Sequence, residues 1–216
     1  MIDFHTHSLI SDGALLPSEL ARRAMVKGYR ALAITDHADE SNIEMVLKQI
    51  IKVSIELCRD MDITVLPGVE LTHIPPSHIP TIVRKARRLG ARVVVGHGET
   101  LAEPVARSTN MAFIGSKVDI LAHPGLVTPA ECALAKKNSV HFEITCRSGH
   151  SLSNGHVGAS AKRHGVKMLI NTDSHGPGDL ISGETAEMVA RGAGLGREDF
   201  KRILENAERL LEKTRL

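Results

Sequence analysis

Short apolar segments rich in Val, Ile and Leu alternate along the chain with longer segments in which apolar residues recur at helical spacing. Seven of the apolar segments are predicted to be strands: residues 2–5, 31–37, 63–71, 92–99, 119–124, 140–146 and 166–175. Helices are predicted at residues 17–28, 42–61, 79–90, 103–113, 128–138, 156–165, 184–193 and 197–213. Proline and glycine support these boundaries, since Pro17 stands at the start of the first helix and Gly28 at its end.

This alternation predicts an α/β fold in which a parallel sheet is covered by helices. A closed barrel and an open doubly wound sheet both satisfy the pattern, so hydrophobicity alone leaves the two possible. No repeat, low-complexity tract or linker interrupts the pattern. A single domain over residues 1–216 is therefore predicted.

Composition narrows the class of protein without identifying a partner. Hydrophobic residues make up 42% of the chain and charged residues 24%, which is ordinary for a folded protein. The net charge of +2 comes from 27 basic and 25 acidic residues scattered along the chain, and this predicts neither a nucleic-acid footprint nor a membrane patch. Cys58, Cys132 and Cys146 lack the spacing of disulfide frameworks or zinc sites, which favours a cytoplasmic location. Neither a signal peptide nor a membrane span is predicted.

The carboxyl end of every predicted strand carries a potential metal ligand or anion-binding residue. In chain order these are His5 and His7, Asp36 and His37, Glu70, His97 and Glu99, His123, Arg147, and Asp173, Ser174 and His175. In a barrel or a parallel sheet these ends meet on one face. Because side chains alternate along a strand, His5 and His7 point the same way, as do Asp173 and His175.

Each of these motifs also has a structural explanation. The His5 and His7 pair can be polar residues at a strand end, His37 can cap a turn, and His97 and His123 can be hydrogen-bonded core histidines. Together, however, six histidines and three carboxylates at one end of successive strands would crowd unsatisfied polar groups into a small volume. Coordination by metal ions relieves that crowding, and imidazole with carboxylate suits Zn, Mn or Fe.

The other histidines separate into two kinds. His141 at a strand start and His164 at a helix end are predicted to be structural. Four more lie in predicted loops, where they either rim the site or are exposed to solvent: His73, His78, His150 and His156.

The ordered motifs HTHSLISDG, ITDH, GVE, a histidine after the fourth strand, AHPG and TDSH resemble those of the PHP family, named for polymerase and histidinol phosphatase. The resemblance covers nearly the whole chain. It implies a distorted (β/α)7 TIM-like barrel with two to three divalent ions at the carboxyl end of the strands. The implied ligands are His5, His7, Glu70 and Asp173 for the first ion, Glu70, His97 and His123 for the second, and Asp12, His37 and His175 for the third. Some relatives have a histidine near the position of Asp12, so the carboxylate here leaves the identity of the third metal more open.

The resemblance also implies a metal-dependent phosphatase in which a metal-bridged hydroxide attacks a phosphomonoester in line. Three carboxylates do not neutralise three divalent cations, so the site would attract a phosphate dianion. Arg147 either holds that phosphate through its planar guanidinium or pairs with a neighbouring acid. The acid that protonates the leaving group is open among Glu99, His73 and His150.

The expected substrate is a small soluble phosphate ester such as histidinol phosphate or a nucleotide, because the chain has no basic stripe for a polymer. Two alternatives stay open. A metal-dependent amide or lactone hydrolase would use the same barrel, and a non-catalytic metal-binding module would tolerate lost ligands. The sequence does not determine the oligomeric state.

Overall fold

The computed structural model describes residues 1–214. Its strands are β1 (Ile2–Thr6), β2 (Ala31–Ile34), β3 (His37–Ala38), β4 (Thr64–Leu71), β5 (Val93–His97), β6 (Ile120–Ala122), β7 (His141–Thr145) and β8 (Met168–Asn171). Its helices are α1 (Pro17–Val26), α2 (Ile43–Asp60), α3 (Ile79–Arg88), α4 (Thr109–Gly115), α5 (Pro129–Asn138), α6 (Asn154–His164), α7 (Gly183–Gly192) and α8 (Arg197–Thr214). A short 3₁₀ helix covers His150–Ser153.

Seven strands form a nearly closed parallel barrel in the order β1-β2-β4-β5-β6-β7-β8, and β3 adds a short pairing to β4. The first and last strands meet where Thr6 bridges Ser174, and the His7 amide donates to the Ser174 carbonyl at 2.8 Å. The predicted (β/α)7 barrel is therefore confirmed. None of the helices within residues 1–214 combines the length and hydrophobicity that crossing a bilayer requires.

Alternation along the strands divides the apolar residues into two layers. Val65, Val69 and Leu71 of β4 pack with the helices in the outer layer, whereas Leu66 packs with residues of other strands in the barrel interior. That interior contains Ile2, Phe4, Ala31, Ala33, Leu66, Val93, Val95, Ile120, Ala122 and Leu169, with Ala207, Leu210 and Leu211 of α8 packed against them. Helix α8 thus covers the amino-terminal end of the barrel and leaves the carboxyl end to the polar residues.

The prediction of one continuous strand over residues 31–37 is wrong. It breaks after Ile34 and resumes at His37 as β3. The break occurs because the Asp36 carboxylate accepts hydrogen bonds from the backbone and hydroxyl groups of Ser8 and Ser11. These bonds hold the loop after β1 against the carboxyl end of the barrel.

The predicted helix at residues 103–113 is also wrong at its start. Helix α4 begins at Thr109, and Ser108 before it has a φ of 73°, which an α-helix excludes. Pro104 follows Glu103, and the residue before a proline is disfavoured in helical conformation. Glu103 consequently lies in the loop between β5 and α4.

The predicted strand at residues 166–175 ends early, at Asn171. Asp173 therefore lies beyond β8 with a φ of 51°, and His123 directly follows β6 with a φ of 28°. Strand alternation does not explain the direction of Asp173 and His175, since both lie in the loop. Left-handed backbone at non-glycine residues is costly and concentrates at functional sites.

We predict that Gly125→Ala destabilises the protein, because Gly125 has a φ of 68° and an added Cβ would overlap the carbonyl oxygen of Glu99. Strain and overlap together should lower the free energy of unfolding by about 2 kcal/mol or more in urea titrations. Gly155→Ala is the matched control, since its Cβ would meet nothing within 4 Å. Equal stabilities of the two variants would contradict this packing of the loop after His123.

Candidate metal centre

All nine residues predicted to bind metal ions lie together at the carboxyl end of the barrel. They form overlapping groups in which the potential ligand atoms lie within 4.8 Å of one another. The groups are His5, His7 and Glu70; His5, His123 and Asp173; Glu70, His97 and His123; and His7, Asp12, His37 and His175. We call these nine residues the metal cluster.

The centre of the metal cluster is a fully buried pair of histidines facing two carboxylates. The Nε2 atoms of His5 and His7 lie 3.2 and 3.4 Å from Oε2 of Glu70. The same two nitrogens lie 3.6 and 3.3 Å from Oδ1 of Asp173. Two imidazole nitrogens and two carboxylates therefore face one another inside the protein, and this is a donor set that suits a divalent metal ion.

Glu70 also faces the other two parts of the cluster. Its Oε1 lies 3.5 Å from Nε2 of His123, and its Oε2 lies 3.0 Å from Nδ1 of His37. On the solvent side, Oδ2 of Asp12 lies 3.6 Å from Nε2 of His37 and 3.3 Å from Nε2 of His175. The Asp12 side chain is 55% exposed, so this third part is open to water.

Several of these atoms are buried without a hydrogen-bond partner. Apart from two serine hydroxyls, the buried side-chain atoms without a partner in the described chain are His5 Nε2, both ring nitrogens of His7, both carboxylate oxygens of Glu70, His97 Nδ1 and His123 Nδ1. Unsatisfied buried polar atoms are rare and costly in folded proteins. Their chemistry, imidazole nitrogen and carboxylate oxygen, fits a divalent ion such as Zn, Mn or Fe.

The electrostatics of the centre depend on Glu70. Burial raises the pKa of this carboxyl, but the charges of His5 and His37 outweigh burial and hold the pKa well below its usual range. Burial lowers the pKa of His5, yet the carboxylates of Glu70 and Glu143 raise it well above normal. Burial and the neighbouring His37 instead hold the pKa of His7 well below normal. His7 is therefore neutral and offers one nitrogen lone pair to a cation, whereas a metal ion binding at His5 would displace its proton.

Glu143 supports the cluster from β7, and it was missed in the sequence. Its Oε1 lies 2.8 Å from Nδ1 of His5 and accepts a bond from Nδ2 of Asn171, while its Oε2 accepts from the His123 amide. A carboxylate on the far nitrogen of a ligand histidine fixes the ring orientation. The available signal was a lone charged residue inside the apolar run VHFEITC.

Glu103 was missed as well, because the predicted helix carried it away from the site. Its Oε2 lies 3.1 Å from Nε2 of His73 and 3.2 Å from Nε2 of His97, and its Oε1 lies 3.5 Å from Nε2 of His150. The hydrogen bond from His97 is the main cause that lowers the pKa of Glu103 to about 2. This carboxylate links the loop after β4, the end of β5 and the 3₁₀ helix at the edge of the cluster.

Arg147 lies beside the cluster, and its side chain is 31% exposed. Its Nη1 donates to the carbonyl of Asp173 at 3.2 Å, and its guanidinium lies 3.8 and 3.9 Å from the carboxylates of Asp173 and Asp179. The neighbouring acids foreseen for Arg147 are thus present.

Of the other residues considered in the sequence, some lie beside the metal cluster and others lie away from it. Glu99 is not brought to the cluster, because its carboxylate accepts from the Asn110 amide at 3.0 Å. His150 is buried, with its ring stacked 4.2 Å from that of His123. His78 and His156 lie away from the cluster; His78 precedes α3, and His156 bonds the Val127 carbonyl. His141 bonds the Asp119 carbonyl, and His164 ends α6.

Comparison with known families agrees with this geometry. The profile of the PHP domain matches residues 3–215. The chain belongs to the PHP domain family. It is 50% identical over 204 residues to an uncharacterized protein of Methanocaldococcus jannaschii, and the match covers 94% of each chain.

More distant PHP relatives include two with named activities. The DNA polymerase/3'-5' exonuclease PolX of Bacillus subtilis is 25% identical over 88% of this chain, which spans only 36% of that protein. A protein named "Probable phosphatase" of Caldanaerobacter subterraneus is 25% identical over 81% of this chain and 76% of its own. A chain in the structure of an archaeal ribonuclease P with mature tRNA superposes with a TM-score of 0.74 at 16% identity, covering 98% of this chain and 90% of that one. This last likeness establishes the fold.

We predict that divalent ions raise the melting temperature of chelator-treated protein. An ion at a hundred times its dissociation constant stabilises by about 2.7 kcal/mol, which corresponds to about 5–10 °C for a chain of this size. Differential scanning calorimetry with Mn²⁺ or Zn²⁺ measures the shift.

The shift should be smaller in His7→Gln and Glu70→Gln, which remove buried donors of the cluster. His78→Gln is the control, because this histidine is exposed and lies outside the cluster. An equal shift in all variants would mean that the ions bind elsewhere.

Proposed function

We propose that this protein is a metal-dependent phosphoesterase that hydrolyses a small phosphate monoester. The observation that carries the proposal is the metal cluster, in which buried imidazole and carboxylate atoms without protein partners converge at the carboxyl end of a barrel. Active sites of such barrels lie at this end.

The side chains divide among three ions as the family resemblance implies. His5, His7, Glu70 and Asp173 would hold the first ion, Glu70, His97 and His123 the second, and Asp12, His37 and His175 the third. When bound, divalent ions lower the pKa of coordinated water and polarise the oxygens of a phosphoryl group. Glu70 belongs to two of the three sets because both of its oxygens face histidines.

The protein's contribution is to hold these donors in place before substrate arrives. Glu143 fixes His5, the Thr72 hydroxyl lies 2.6 Å from Nδ1 of His37, and the Asp173 carbonyl lies 2.9 Å from Nδ1 of His175. A ligand histidine held on its far nitrogen keeps one tautomer and one orientation. Little reorganisation then remains for the reaction itself.

Arg147 would bind the phosphate of the substrate. Its guanidinium contacts Asp173 of the cluster while its side chain remains 31% exposed. A planar fork of N–H donors suits two phosphate oxygens at once. A neutral amide or lactone would gain little from this group, which favours a phosphate ester over the amide alternative.

Two histidines, His73 and His150, are candidates for the acid that donates a proton to the leaving group. Glu99 is engaged with the Asn110 amide. Burial and the charge of His123 lower the pKa of His150 to about 4, so this ring is neutral near pH 7. His73 is more exposed and bonds Glu103. These differences favour His73.

The relatives support phosphoester chemistry without fixing the substrate. The names of two of them describe an exonuclease and a phosphatase, both of which cleave bonds to phosphorus. We propose a small ester, such as histidinol phosphate or a nucleotide, because Arg147 offers one phosphate clamp beside the ions.

The test is a hydrolysis assay of protein loaded with Mn, Zn or Fe against phosphomonoesters, short oligonucleotides, amides and lactones. We expect turnover of phosphomonoesters above the other classes. Turnover of lactones or amides alone would support the competing hydrolase, and no turnover by fully loaded protein would support a non-catalytic module.

In the same assay, Arg147→Ala should raise KM for a phosphomonoester about 10-fold to 100-fold, the value of one charge-assisted hydrogen bond. Arg147→Lys keeps the charge without the fork and should fall between. KM for a slowly hydrolysed neutral ester serves as the control. Equal changes in KM for both substrates would show that Arg147 does not bind phosphate.

A further inference from the structure

Two adjoining cavities lie at the amino-terminal end of the barrel, opposite the metal cluster. Their volumes are about 630 and about 400 Å³, and Lys167 and Arg209 line both. Arg92 and Lys167 lie directly before β5 and β8, and Arg209 lies on α8 beneath the barrel. The two cavities adjoin at Lys167 and Arg209, and we call them together the basal groove.

The basal groove is lined by cations from distant parts of the sequence. Six of them define it: Arg92, Lys117, Lys167, Arg202, Arg209 and Lys213. Two further cations in the lining are neutralised, since Arg87 lies 2.5 Å from Asp119 and Lys162 lies 2.7 Å from Asp199. Only one other acid, Glu205, lines either cavity.

Ordinary structural roles account for few of the six. Within residues 1–214 the first five make no ion pair with an acid, and Lys213 reaches Asp119 only at 3.9 Å. Lys213 lies in the last turn of α8, where a cation complements the helix dipole. Arg92 and Lys167 precede strands, and Arg209 lies inside a helix, so the dipole does not explain them. Unpaired like charges around one recess repel each other unless an anion binds.

The lining also indicates the chemistry of the partner. Val118 and Leu210 are almost fully buried, so the groove offers no apolar anchor of the kind that protein interfaces use. No Phe or Tyr lines it, which leaves no platform for stacking bases. Contact is therefore made mainly through charge, and a positively charged groove that follows a flexible backbone is how proteins bind single strands without sequence preference.

We propose that the basal groove binds a single strand of nucleic acid through its phosphates, without sequence preference. None of its residues belongs to the metal cluster, and the packed barrel interior separates the two. The inference is thus independent of the proposed phosphoesterase activity. The groove would hold a strand on the face opposite the site of chemistry.

Fluorescence anisotropy of a labelled 15-mer of deoxythymidylate, titrated with full-length protein over a range of salt concentrations, tests the proposal. We expect dissociation constants of about 10⁻⁴ to 10⁻⁶ M, with log K falling by about 0.7 per phosphate contact for each unit of log salt. The double variant Lys167→Gln/Arg209→Gln should weaken binding at least about 10-fold and make the salt slope shallower by about 1.4. EDTA should leave binding unchanged.

The matched control is Arg22→Gln/Lys52→Gln, which removes the same charge from exposed positions on α1 and α2. Its binding should equal that of the unmodified protein, and circular dichroism should show that both variants are folded. Equal losses in the two double variants, loss of binding in EDTA, or no binding at low salt would overturn the proposal. Tighter binding of polyglutamate or of duplex DNA would assign the groove to another class of partner.

Discussion

The site depends on a carboxylate that is completely buried among imidazole rings. Glu70 has no exposed surface, and its oxygens face His5, His7, His37 and His123 at 3.0–3.5 Å. A buried carboxylate is tolerated only when opposite charge compensates it. Histidine protons or metal ions can supply that charge, and the hydrogen bonds left unmade favour metal ions. The strands and loops around Glu70 therefore bring donor side chains from distant segments of the chain to this carboxylate.

The strands of the barrel end around a common point, and some of the donor residues lie on the strands while others lie in the loops just beyond them. His5 belongs to β1 and Glu70 to β4, whereas His123 and Asp173 lie just beyond β6 and β8 with left-handed backbone. Glu143 contacts both the His5 ring and the His123 amide, so one carboxylate positions two residues of the cluster. The apolar interior and α8 fill the opposite end, where the cations of the basal groove gather.

The sequence predicts the parallel α/β arrangement well because its buried strands are nearly uninterrupted apolar runs, which is typical of parallel sheets, whereas closure into a barrel follows from the family resemblance. It predicts eight of the nine clustered residues because strand ends in such a fold share one face, and Asp12 is added by the family resemblance. It does not predict Asp36 breaking the second strand, since the competing hydrogen bonds come from a loop far away in the chain. The sequence also does not predict that Glu103 lies at the site. Helical spacing predicts that α4 begins too early in the chain, and Pro104 is the residue that argues against that start. The net charge and the distribution of basic residues along the sequence do not predict the basal groove, because its cations are far apart along the chain.

Anomalous diffraction from crystals of the Mn- or Zn-loaded protein tests most directly whether these side chains hold metal ions. We predict separate peaks about 2.0–2.2 Å from the donor atoms, with two of the ions sharing Glu70 and a third near Asp12, His37 and His175. Full loading in solution with no peak within bonding distance of Glu70 would contradict the central claim.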